Sequence, residues 1–128
     1  MSEGRMADTG PAEPHQRPGE LSVISTTTNG ICVLAPAGEI DYHTMDRFQQ
    51  ALEAASIALA RIVVDLSRVS FMDSSGINML ITAHHDTSEA GGWLRLAAPT
   101  APVLRTLQVV GVDQVIDCHA TLCQALGG

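Results

Sequence analysis

The stretch Phe71 to Leu80, FMDSSGINML, sets an acid, two hydroxyls and a glycine between apolar residues. Residue types of this kind at adjacent positions allow three chemistries. The serines could cap a helix, serve as a nucleophile, or accept a modification that changes the charge. A nucleophile elbow of the form G-x-S-x-G needs small residues two places on either side of the serine, and here Met72 or Asp73 stands two places before. A triad would also need a histidine in reach. His84 and His85 lie two to three turns along the same helical pattern, too far from Ser75, and read as packing and surface residues. With no lysine in the chain, a G-x-x-x-x-G-K-[ST] phosphate loop is excluded. An enzyme is therefore not expected. A helix N-terminus carries unpaired N–H groups and about half a positive charge, so an oxygen cap from Asp73 or Ser74 is favourable and an added phosphate can be accommodated.

The elements that must hold this cluster follow from periodicity. LSVISTTT and ICVLAPAG are β-branched runs separated by Asn29-Gly30, which predicts a hairpin. From GEID onward the period changes. Met45, Phe48, Leu52 and Ala55 recur at helical spacing with Arg47, Gln50 and Glu53 facing out, and Asp41 is the predicted cap. RIVVDLSRV reads as one buried central strand leading into the cluster. Behind the cluster, Ile77, Leu80, Ile81, His84 and Ser88 trace the predicted buried stripe of a helix that ends at Gly91-Gly92. WLRLAAP returns to strand. APVLRTLQVV reads as a helix with Val103, Leu104 and Leu107 inward and Gly111 as its stop, VDQVID as a last strand and HATLCQALGG as a closing helix. Strands alternating with helices predict an α/β fold, a four- to five-stranded mixed sheet with helices packed mainly on one face.

Composition narrows the partners. The chain has 128 residues, enough for one domain, and its four aromatic side chains leave the core to aliphatic residues. Seven basic against 14 acidic residues give a net charge of -7, which repels a nucleic-acid backbone. No apolar run approaches the length of about eighteen residues that a membrane helix needs. Residues 1–20 hold three prolines and three glycines without an apolar period, so a disordered tail is expected there and a folded domain over 21–128. Cys32, Cys118 and Cys123 form no disulfide framework and suggest the reduced cytoplasm. In CHATLC the two thiols would diverge by roughly 140° on a helix, so no metal is expected, and nothing in the sequence calls for another cofactor.

From VVDLSRVSFMDSSGINML, with GEID at 38–41 and LRTLQVVGVDQVI at 104–116, the chain resembles the STAS domain family, and within it the small bacterial anti-sigma-factor antagonists. The resemblance implies a STAS fold over 21–128 and a role in transcription regulation by partner switching. In those antagonists the second serine of D-S-S-G is phosphorylated by an anti-sigma factor that is also a serine kinase. Carried over, this makes Ser75 the phosphosite, with Asp73, Ser74, Gly76, Asn78, Glu39 and Asp41 as its environment and partner-binding surface. The unmodified domain would bind the anti-sigma factor and free a sigma factor, and a phosphatase of the PP2C type would reset it. Asn78 departs from the small glycine of many relatives, and HHDTSEA lacks their basic residues. The alternative is a STAS scaffold or lipid-transport-associated subunit that is never phosphorylated.

Overall fold

The computed structural model describes residues 21–127, so the tail expected over 1–20 lies outside the described residues. Strand β1 (Leu21–Thr28) returns as β2 (Ile31–Ile40) with Thr28 paired to Ile31. Asn29 and Gly30 have φ of 51° and 79°, the positive pair that a two-residue type I′ turn requires. The predicted hairpin is present.

On its other side β2 takes two parallel partners in succession. Cys32 to Leu34 pair with β3 (Arg61–Asp65), and Ala37 to Ile40 pair with β4 (Arg68–Met72). Pro36, which has no N–H to give, sits where β2 leaves one partner for the next. The single strand expected over RIVVDLSRV is thus two. The Asp65 Oδ1 accepts the Ser67 N–H at 3.0 Å and Val69 N–H bonds to Leu66 O at 3.1 Å, closing a turn between them. Among the described residues the sheet therefore has six strands where four or five were expected, in the order β1-β2-β3-β5-β6 with β4 beside β2. Strand β5 is Trp93–Ala97 and β6 is Asp117–His119. The last strand was expected at VDQVID, but Val112–Gln114 forms a 3₁₀ turn after left-handed Gly111, because Val112 and Ile116 are both drawn into the core.

Helices α1 (Met45–Ala58), α2 (Ser74–Glu89) and α3 (Ala101–Val110) cover one face through Phe48, Leu52, Ile77, Leu80, Val103 and Leu107, packed on Leu34, Ile62, Val64 and Leu96. Among the described residues, α4 (Leu122–Gly127) is the one helix on the other face, where Ala125 meets Ile31, Val33, Val63 and Ala97. The expectation of helices mainly on one face holds. The inward stripe of α1 is as predicted. That of α2 is rotated: Ile81 is 42% exposed and Ser88 is exposed, while Met79, Ala83 and Thr87 are buried. Helix α2 packs against α1 as well as the sheet, so its buried face turns toward that neighbour. The Thr87 hydroxyl tolerates burial by donating to Ala83 O at 2.9 Å.

Candidate functional site

Two loops meet at one end of the sheet, Asp41–Thr44 leading into α1 and Asp73 leading into α2. They are tied by the Asp73 N–H donating to Ile40 O at 3.1 Å. Asp73 is the N-cap of α2, with extended backbone, and its Oδ1 accepts the N–H of Ser75 at 2.8 Å and of Gly76 at 3.4 Å. The N–H of Ile77 reaches Asp73 O at 3.1 Å. Most of the donors at this helix start are therefore satisfied by one residue. The cap predicted for Asp73 or Ser74 is Asp73, and a phosphate arriving at Ser75 would find those amides taken and a carboxylate beside it.

Ser74 is exposed and Ser75 half-buried in the first turn. Neither hydroxyl has a hydrogen-bond partner among the described residues. Gly76 is buried, and a Cβ there would stand 2.6 Å from Met72 Cγ and 2.8 Å from Ile40 Cγ2. Only glycine lets the first turn sit this low on the strand ends. Gly76 therefore positions the serines from inside and presents nothing to a partner. Asn78, one turn beyond Ser74, is exposed on the same side as Ser75.

The pair Glu39 and Asp41 is used differently. The Glu39 side chain is exposed and, one residue before buried Ile40, projects to the opposite face of the sheet. Its carbonyl, not its carboxylate, joins the loop by accepting the Thr44 hydroxyl at 2.8 Å. Asp41 does not cap α1. Its Oδ1 accepts the N–H of His43 at 2.9 Å and of Thr44 at 3.1 Å, an Asx turn, and the helix N-cap is Thr44. The reason is spacing, since the helix begins at Met45, four residues on.

Between α1 and α2 runs a groove of about 330 Å³ that starts at Ser75. Asn78, Tyr42, Met45, Gln49 and Asp86 are among its lining residues. Tyr42 and Asp86 went unread in the sequence. Tyr42 lies in the turn after GEID, and its 73% exposure is a property of the loop, which no periodicity reports. No group of His, Cys, Asp or Glu among the described residues could hold a metal ion. No helix among them is long and apolar enough to cross a membrane.

A family profile described as STAS domain matches residues 22–125. An anti-sigma F factor antagonist of Paenibacillus polymyxa is 26% identical over 99 residues, covering 76% of this chain and 85% of its own. The anti-sigma-F factor antagonist RsfB of Mycobacterium tuberculosis is 28% identical over 112 residues, 87% of this chain and 91% of the relative. The crystal structure of an anti-sigma factor antagonist from Mycobacterium paratuberculosis superposes with a TM-score of 0.81 at 25% identity, covering 88% of this chain and 97% of that one. Since the profile takes in nearly every described residue, from β1 through α4, and the mixed sheet with its D-S-S-G helix start accompanies it, the chain belongs to the STAS domain family.

Proposed function

We propose that the protein is an anti-sigma-factor antagonist whose hold on an anti-sigma factor is controlled by phosphorylation at Ser75. The observation that carries this reading is the state of the Ser75 side chain. It sits half-buried at the mouth of the α1–α2 groove, its hydroxyl has no partner among the described residues, and Asp73 fixes its backbone. Phosphoryl transfer would form the Ser75 Oγ–P bond, break the bond from phosphorus to ADP and release the hydroxyl proton, with the partner kinase supplying ATP, Mg²⁺ and the base that takes the proton. The product gains about 1.5 to 2 negative charges within an interface and beside the Asp73 carboxylate. With the Ser75 and Gly76 amides already engaged by Asp73, the added charge is not absorbed by them, and repulsion acts on the bound complex and releases it. A phosphatase of the PP2C type would restore the hydroxyl. Asn78, Ser74 and Asp41 would contribute to the contact surface. A cytoplasmic setting and a folded unit over 21–128 with a dispensable leader complete the reading.

The test is incubation with the cognate anti-sigma kinase and ATP, followed by peptide mapping. One phosphate on Ser75 is expected. Ser75→Ala should stay bound under phosphorylating conditions, and Ser75→Asp should bind at least tenfold more weakly with an unchanged circular dichroism spectrum. Phosphate on Ser74 alone, or on neither serine with an active kinase, would refute the assignment.

A further inference from the structure

The two edges of the sheet are unequal. Strand β6 is three residues long and begins with Asp117, a short charged edge of the kind that resists pairing. Strand β1 is eight residues long, and among the described residues its stretch from Val23 to Thr28, about 20 Å, pairs with β2 on one side only. LSVISTTT contains no charge and no proline, and β1 pairs with β2 in unbroken register from Leu21 to Thr28, so no bulge turns it away. Ser25 to Thr28 are exposed and Ile24 is 56% exposed.

The helix above this edge is exposed on its outer flank, where Ala54 and Ala58 face solvent and Ala51 is half-buried against the core. Helix α1 lines the α2 groove with Met45, Gln49, Glu53 and Ser56, so its opposite flank, carrying Arg47, Ala51, Ala54 and Ala58, lies toward β1. That flank has no acid, in a chain of net charge -7. We infer that the outer edge of β1 from Val23 to Thr28, with the alanine flank of α1, is an interface for a second copy of this chain.

Antiparallel pairing about a two-fold axis near Ser25 sets Ile24 opposite Thr26 of the other copy and joins the two sheets into one. The two α1 helices then run antiparallel on the same side, and alanines allow an approach of about 8 Å. Their polarity makes the contact self-complementary. The last turn of α1 has no basic residue of its own, and with helices aligned at their midpoints the partner's Arg47 stands there, at the negative end of the dipole. A second copy meets no like charge along this stripe, whereas approach through the acidic remainder of the surface is opposed by repulsion. The Ser75 mouth lies on the far flank of α1, open in both copies.

Sedimentation equilibrium of the full chain tests this. The mass should rise with concentration from 13.5 kDa toward twice that value. Thr26→Lys should abolish the rise with an unchanged circular dichroism spectrum, Arg47→Glu should weaken association about tenfold, and Asp117→Lys at the opposite edge should leave it unaltered. Hydrogen exchange at Val23 to Thr28 should slow as concentration increases. A monomer at every concentration overturns the inference, whether these amides exchange fast or are protected by another part of the chain. Dimerisation that survives Thr26→Lys and is lost in Asp117→Lys overturns it as well.

Discussion

The starts of α1 and α2 lie side by side at one end of the sheet and are built from similar residues, an aspartate followed within three positions by hydroxyl side chains. They are finished in opposite ways. Thr44 is 8% exposed, and its hydroxyl donates to Glu39 O and accepts the Asp41 N–H at 3.0 Å. Every polar atom of that side chain is committed to the loop. At α2 the aspartate alone holds the backbone, and the Ser74 and Ser75 hydroxyls are left over. The start of α1 ties its hydroxyl into the structure, and that of α2 keeps structure and hydroxyl on separate residues. A side chain can be modified without loss of fold only under the second arrangement.

Substitutions can break this contrast, and their effects should fall in a definite order. Gly76→Val forces a branched side chain onto Met72 and Ile40 and should destabilise by about 3 kcal/mol, read by urea denaturation. An unchanged midpoint would mean that α2 does not sit as low on the strands as described. Thr44→Val removes both hydroxyl bonds and leaves Glu39 O without this donor in a part-buried setting, a loss of about 2 kcal/mol. Asp73→Ala takes the cap from α2 and should cost about 1 kcal/mol, with faster amide exchange at Ser75 and Gly76. Ser75→Ala should shift stability by no more than about 0.5 kcal/mol, because the hydroxyl holds nothing within the domain. A loss for Ser75→Ala as large as that for Thr44→Val would erase the distinction between the two helix starts.

The sequence made the start of α2 legible and that of α1 only partly so. A cap at Asp73 or Ser74 is readable because an apolar helical period begins directly behind D-S-S-G, and the structure takes Asp73, whose cap bonds run to residues two and three places on. Asp41 looks equivalent, but its bonds close a turn and the helix starts later, a difference of local backbone path that residue types do not encode. The division of RIVVDLSRV into β3 and β4 escaped for a related reason. Leu66 is buried in the turn as deeply as the strand residues around it, so hydrophobicity does not fall where the chain bends. The rotation of the α2 stripe from Ile81 to Met79 and Ala83 depends on where α1 packs, a tertiary fact that a single helix's pattern cannot carry. Apart from β6, which lies beyond the VDQVID run expected to form it, strand and helix types, the hairpin and the bias of helices to one face were readable, since each follows from a local period or a turn dipeptide.

The six-residue helix α4 is held from beneath by Arg95, whose guanidinium stacks 3.8 Å from the Trp93 ring and whose Nη1 donates to Ala125 O at 2.9 Å. A helix this short does not persist alone in water, so it stays or leaves as a unit with that clamp. When it leaves, Ile31, Val33, Val63 and Ala97 face solvent together, while the three larger helices keep the rest of the sheet covered. Detachment of α4 therefore bares an apolar surface without global unfolding, and partial opening of this kind is a route by which a folded protein becomes visible to proteases and chaperones.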